Sequence, residues 1–143
     1  MKKKTKVFLL SFILVIAVYL LAPIKIYKYF VEEDFIYIEI KRPDFNNGNR
    51  DLKSYWYKAQ KGTKEYQKVM SIINNMYCHR AWDTGFSNTI NYGETSVTLY
   101  TKRGKITLTD SREMFLYGHK YLLWNKSSSI IQEFEAIVVE NND

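Results

Sequence analysis

The sequence predicts an α+β fold, in which an N-terminal transmembrane helix precedes an antiparallel sheet with two helices packed on one face. Three observations carry this prediction. An uncharged run lies near the N-terminus, several later segments alternate between apolar and polar residues, and two segments carry apolar stripes at helical spacing. The predicted order after the first helix is strand, helix, strands, helix, which is typical of a sheet covered on one side.

The N-terminal run extends from Val7 to Ile24 without a formal charge and follows the lysines Lys2, Lys3, Lys4 and Lys6. As a helix it would span about 27 Å, close to the hydrocarbon core of a bilayer. The run is longer than the apolar part of a signal peptide, and Leu20 is large where a cleavage site needs a small residue. The pattern therefore predicts an uncleaved signal-anchor.

The lysines predict the topology of this anchor, since basic residues stay on the cytoplasmic side. The expected location is the cell membrane, crossed once, with an extracytoplasmic domain of bacterial type. The predicted divisions are a basic segment 1–6, an anchor 7–24, a juxtamembrane segment 25–34, a domain 35–139 and a tail 140–143.

The net charge of +6 does not indicate a nucleic-acid-binding surface. Six of the 21 basic side chains lie in residues 1–30, which contain no acid, and the remaining residues carry 15 basic and 15 acidic side chains. The excess is thus confined to the N-terminal region, and nucleic acid is excluded as a partner. The single cysteine, Cys78, excludes an internal disulfide.

Alternation predicts the strands. Phe35 to Lys41 places three isoleucines on one face, and Ser54 to Lys58 forms a second, short strand. Ser96–Thr101 and Lys105–Thr109 form a hairpin. Met114–Tyr117 and Lys120–Trp124 form another, with Gly118-His119 expected in a type II′ turn.

Two helices are predicted from caps and apolar stripes. Thr63 caps the first, which ends no later than Gly85, and Ser129 with Gln132 forms a capping box for the second. The first stripe comprises Tyr66, Val69, Met70, Ile73, Met76 and Tyr77. The second comprises Ile130, Ile131, Phe134, Ile137 and Val138.

This arrangement resembles small membrane-anchored bacterial extracytoplasmic domain proteins of unknown function. The resemblance covers roughly residues 35–138 and depends on the patterning and on the segment from Asp110 to Tyr121. It contains no catalytic motif, and it implies the anchored α+β plan without implying an activity.

No motif assembles a catalytic site. The best candidates for a hydrolytic group are Asp110, Glu113 and His119, which flank predicted turns. Cys78-His79 would point apart as adjacent helical residues, and with Asp83 they lack the second ligand pair typical of zinc sites. The sequence therefore predicts no catalytic residue, cofactor or metal.

The densest aromatic group, Tyr55-Trp56-Tyr57, is the candidate ligand-binding site. Exposed rings stack on sugars or hold peptides, although one face of a strand would also fill a core. We expect a binding module whose partners are membrane lipid through residues 7–24 and another membrane protein, a secreted peptide or cell-wall glycan. The alternatives are a cell-envelope hydrolase and a structural subunit of a membrane complex.

Overall fold

The computed structural model describes residues 3–30, 33–44, 51–81 and 93–140. This part of the chain is an α+β fold with three α-helices and one eight-stranded antiparallel sheet. The helices are α1 (Lys3–Leu21), α2 (Lys64–Asn74) and α3 (Ser127–Glu140). The strands are β1 (Ile24–Lys25), β2 (Phe35–Asp44), β3 (Asp51–Gln60), β4 (Tyr77–Arg80), β5 (Ser96–Thr101), β6 (Gly104–Thr109), β7 (Glu113–Leu116) and β8 (His119–Leu123).

The sheet order is β1-β4-β8-β7-β6-β5-β2-β3. Strands β5 to β8 form a meander of consecutive hairpins. The β2–β3 hairpin extends it on one side, and β1 and β4 extend it on the other. Because α2 lies between β3 and β4 in the chain, it connects the two ends of the sheet. In the described part of the chain, β1 and β3 are the two edge strands of the sheet.

The core lies between one face of the sheet and the helices α2 and α3. Ile38 and Leu99 of the sheet, and Ile73 and Phe134 of the helices, are at most 1% exposed. Each fully buried side chain of this size contributes about 1.5–3 kcal/mol relative to an exposed one. A 3-10 helical turn at Ile26–Tyr29 adds Ile26 to the same core.

Helix α2 begins as the sequence predicts and ends earlier. The Thr63 hydroxyl accepts a hydrogen bond from the main-chain N–H of Tyr66 at 3.2 Å. The predicted continuation through Tyr77 is wrong, because Tyr77 begins β4. The Asn125 side chain accepts a hydrogen bond from the Tyr77 N–H at 2.7 Å and so stabilises the extended conformation.

The structure contains both predicted hairpins, but the second turn is displaced by one residue. Its central residues are Tyr117 and Gly118, with φ of 51° and 88°, which is a type I′ turn instead of a type II′ turn at Gly118-His119. The left-handed conformation at Tyr117 carries a steric cost, and the hydrogen bond that its hydroxyl donates to the Tyr29 carbonyl at 2.7 Å offsets part of it.

The predicted transmembrane anchor is wrong. Among the described residues, no helix combines the length and the apolar character that crossing a membrane requires. Helix α1 ends at Leu21 because Pro23 disfavours helical conformation in the preceding residue, and Ile24 then pairs with Cys78 in β1. The apolar part of α1, Val7–Leu21, is thus about 22 Å long, short of the roughly 30 Å hydrocarbon core.

This finding also overturns the location expected from the sequence. The single-pass membrane assignment, with residues 1–6 cytoplasmic, residues 7–24 as anchor and an extracytoplasmic domain, depended on Val7 to Ile24 being one helix. The last part of that run belongs to the sheet edge instead.

Candidate functional site

Helix α1 is the most exposed apolar surface in the described part of the chain. Large apolar side chains project from its whole circumference, each between 50% and 74% exposed. They are Val7, Phe8, Leu9, Leu10, Phe12, Ile13, Leu14, Val15, Val18, Tyr19 and Leu21. We call this set the α1 surface. Contiguous apolar surface of this size marks an interaction site in most proteins.

A groove lies where α1 meets the sheet. It has a volume of about 420 Å³ and is lined by Ile13, Ile16, Ala17, Leu20, Leu21, His79, Arg80 and Leu122. His79 and Leu122 are cross-strand partners in β4 and β8, so their side chains share one face of the sheet. We call this space the α1 groove.

Arg80 fixes the position of α1 over β4. Its guanidinium lies 4.0 Å from the centroid of the Tyr19 ring and donates to the Tyr19 carbonyl at 3.0 Å. A cation near the C-terminus of a helix also interacts favourably with the helix dipole. The C-terminal end of α1 therefore carries a positive charge.

The N-terminal end of α1 is also cationic, because Lys6 is exposed there. Lys25 and Lys28 follow the C-terminus of α1, in β1 and the 3-10 turn, and add to the positive charge at that end. Residues 1–30 contain no acidic residue that would balance these charges. The α1 surface is thus an apolar zone with positive charge at both ends.

The structure divides the predicted aromatic site between two faces of β3. Tyr55 and Tyr57 are partly buried against the core, whereas Trp56 projects from the other face and is 50% exposed. The Trp56 ring stacks on Tyr100 of β5, with centroids 5.5 Å apart and planes at 27°. Of these three residues, Trp56 alone lies on the face of the sheet that points away from the helices.

A buried carboxylate lies beside Trp56, and the sequence reading missed it. Glu39 is 4% exposed, accepts from the Tyr100 hydroxyl at 2.6 Å and forms an ion pair with Lys41 at 3.2 Å. Burial and the hydrogen bond to Glu39 raise the pKa of Tyr100 to about 12. The sequence feature that could have indicated this carboxylate is the position of Glu39 within the alternating segment of β2. Its partners come from cross-strand packing, which the sequence does not show.

The candidate hydrolytic residues have separate local partners. Asp110 accepts from the Thr95 N–H at 3.0 Å, and Glu113 forms an ion pair with Lys120 at 2.6 Å. His119 is exposed at the start of β8 and pairs with Leu116, at the opposite end of β7 from Glu113. The structure does not bring the three side chains together.

Cys78 and His79 lie on a strand and not at a helix end, so their side chains point to opposite faces. Burial raises the pKa of the Cys78 thiol to about 11, which disfavours the reactive thiolate. In the described ranges, no group of three or more His, Cys, Asp or Glu side chains is arranged to hold a metal ion. Asp83 lies outside those ranges.

The geometry thus offers an apolar surface with cationic ends and a separate aromatic face on β2, β3 and β5. Comparison of the chain with protein-family models, curated proteins and solved structures found no match.

Proposed function

We propose that this protein is an interaction module that binds an apolar segment of another protein through the α1 surface and the α1 groove. The observation that carries the proposal is that the large apolar side chains of the α1 surface are each at least 50% exposed. The hydrolase alternative has no comparable support, because Asp110, Glu113 and His119 each lie in a different local setting.

Burial of this surface supplies the driving force. Covering one large apolar side chain is worth about 1.5–3 kcal/mol, and several would be covered by a partner that packs along the helix. Part of this gain is offset by the lost freedom of the two molecules. The α1 groove adds specificity, since its volume of about 420 Å³ accepts apolar side chains of the partner beside Leu122.

The charges at the ends of α1 define the partner. A partner with carboxylates at both ends of its apolar segment would meet Lys6 at one end and Arg80 at the other. A second α1 helix would not, because antiparallel packing opposes Lys6 to Arg80 and parallel packing opposes Lys6 to itself. Charge complementarity therefore favours an acidic-flanked apolar segment over a second copy.

A synthetic probe tests this proposal directly. The probe is a fluorescently labelled helical peptide of about fifteen leucine and alanine residues, matched to the apolar part of α1, with two glutamates at each end. We expect the full chain to bind it, and we expect a matched peptide with lysines at each end to bind at least about tenfold more weakly, or about 1.4 kcal/mol. Fluorescence anisotropy at low and high salt measures both affinities.

Matched variants localise the binding. Leu14→Lys, at a position 64% exposed on α1, should abolish peptide binding, whereas Val139→Lys, at a position 39% exposed on α3, should leave it unchanged. Equal affinity for both peptides would contradict the charge argument. The proposal would be overturned if the unmodified chain did not bind the acidic-flanked peptide and partitioned into lipid vesicles instead.

A further inference from the structure

Strand β3 is a long edge strand. It spans Asp51–Gln60, pairs with β2 along its whole length, and is the last strand in the sheet order. At about 3.4 Å per residue its edge is roughly 34 Å long. Within the described ranges, no strand pairs with its other side. An edge of this kind presents a row of main-chain donors and acceptors.

The phase of the ladder shows which residues face outwards. The Lys61 N–H donates to the Asp34 carbonyl at 2.7 Å, one step beyond the pair Phe35 and Gln60. Hydrogen-bonded pairs alternate along an antiparallel ladder, so the odd-numbered residues of β3 direct their main-chain groups to β2. The even-numbered residues, including Ser54 and Lys58, direct theirs away from the sheet.

Two further contacts agree with this phase. The Gln60 carbonyl accepts from the Thr63 N–H at 3.1 Å, so it does not point to β2. Pro43 of β2, which has no N–H, is opposite Leu52, at a position where the ladder to β3 needs no donor.

The lysines of β3, which could protect this edge from pairing, interact with other residues of the same chain. Lysine on an edge strand prevents pairing because its charge projects beyond the sheet. On β3, Lys53 forms an ion pair with Asp44 at 2.5 Å, and the Lys58 ammonium lies 4.2 Å from the centroid of the Phe35 ring. Both ammonium groups thus have partners on the same chain, which reduces the unpaired charge beside Ser54 that would oppose pairing with a second strand.

The sequence of β3 is complementary to itself in one antiparallel register. When Trp56 is placed opposite Trp56 of a second copy, Ser54 comes opposite Lys58 and Asp51 comes opposite Lys61. No two like charges are opposed, and the outward-facing main-chain groups of Ser54 and Lys58 form hydrogen-bonded pairs. The aromatic pair at the centre adds cross-strand packing.

We propose that two copies of this chain associate edge to edge through β3, in this register, to form one continuous antiparallel sheet across a twofold axis. The interface is isologous, as in most dimers, because each strand supplies the same residues. This inference goes beyond the proposed binding through α1 and does not depend on it.

Proline substitution tests the hydrogen bonding. Ser54→Pro removes an outward N–H while leaving the bonds from β3 to β2 intact, and Ser54→Ala keeps the N–H. Sedimentation of the full chain should show a dimer for the unmodified protein and for Ser54→Ala. The dissociation constant of Ser54→Pro should rise at least about tenfold, and circular dichroism and thermal melting check that its fold is retained.

Cysteine substitution tests the register. Residue 56 faces its own counterpart, so Trp56→Cys should form a disulfide-linked dimer on mild oxidation, because directly opposed residues have Cα atoms about 5.5 Å apart. Ser54→Cys should not, since the two copies of residue 54 are four positions out of register. Cys78 does not compete, because it is buried and the pKa of its thiol is raised to about 11.

Several outcomes would overturn the inference. These are a monomer at all concentrations, a dimer that Ser54→Pro leaves unchanged, or crosslinking by Ser54→Cys and not by Trp56→Cys. A dimer lost in Leu14→Lys but kept in Ser54→Pro would place self-association on α1 and would also contradict the charge argument for that surface.

Discussion

At the scale of single residues, the Tyr100 hydroxyl is the most strongly perturbed group on the aromatic face. It donates to the buried Glu39 carboxylate at 2.6 Å, and ionisation of the phenol would place two negative charges side by side. Burial of the phenol, together with this hydrogen bond and the nearby negative charge, raises its pKa from 10.0 to about 12. Because the folded value lies above the ordinary one, its contribution to stability is complete below about pH 10 and is lost as the pH rises towards 12.

Tyr100→Phe tests this pairing. Removing the hydroxyl leaves Glu39 with the ion pair to Lys41, and we expect a loss of about 1–2 kcal/mol in the free energy of unfolding at pH 8. We also expect the stability of the variant to fall less steeply between pH 10 and 12. Urea unfolding across this range measures both effects, with Tyr27→Phe, at a position 40% exposed, as the control. Parallel pH profiles would contradict the assignment.

At the scale of secondary structure, α2 shows how a short helix is stabilised. Eleven residues would be marginal as an isolated helix, so the apolar face against the sheet must supply most of its stability. Tyr66, Val69, Ile72 and Ile73 form that face. The Tyr66 hydroxyl also donates to the Glu33 carbonyl at 2.8 Å, which attaches the helix to the segment before β2.

Ile73→Asp should unfold the domain. Ile73 has no exposed surface, and an unpaired carboxylate at that position costs several kcal/mol. Gln67→Asp, on the exposed face of the same helix, should change the free energy of unfolding by no more than about 0.5 kcal/mol. Thermal melting followed by circular dichroism compares the two. Similar melting temperatures for both variants would show that the α2 face is wrongly assigned.

At the scale of the whole molecule, the sheet separates the two proposed surfaces. The α1 groove is at β4 and β8, and the pairing edge is β3, five strand positions away from β8. At roughly 4.8 Å per strand the separation is about 24 Å. Sites this far apart, with no shared residues, usually behave additively.

We therefore expect the two associations to be independent. The acidic-flanked peptide should bind Ser54→Pro with an affinity within about twofold of that of the unmodified chain, because the substitution lies far from α1. Saturation with the peptide should not change the dissociation constant of the dimer. Anisotropy and sedimentation on the same samples measure both quantities. A larger shift in either would indicate that the sheet couples the two sites.

Local patterning in the sequence determined much of the sheet and of the helices. The alternation in Phe35 to Lys41, the hairpin at Ser96 to Thr109 and the apolar face around Ile73 follow from the periods of strand and helix, which are local properties of the chain. The alternation of side chains along a strand also accounts for the position of Trp56 on the face opposite to Tyr55 and Tyr57.

The tertiary structure decided where those elements end and what they contact. Ile24 leaves the apolar run because Cys78 offers a strand partner, so the run is divided between α1 and β1 and no longer has the length of a membrane span. Glu39 acquires Tyr100, and β3 becomes an edge, only through pairing between distant segments. Such pairings depend on the relative free energies of whole arrangements, which the period of one segment does not contain.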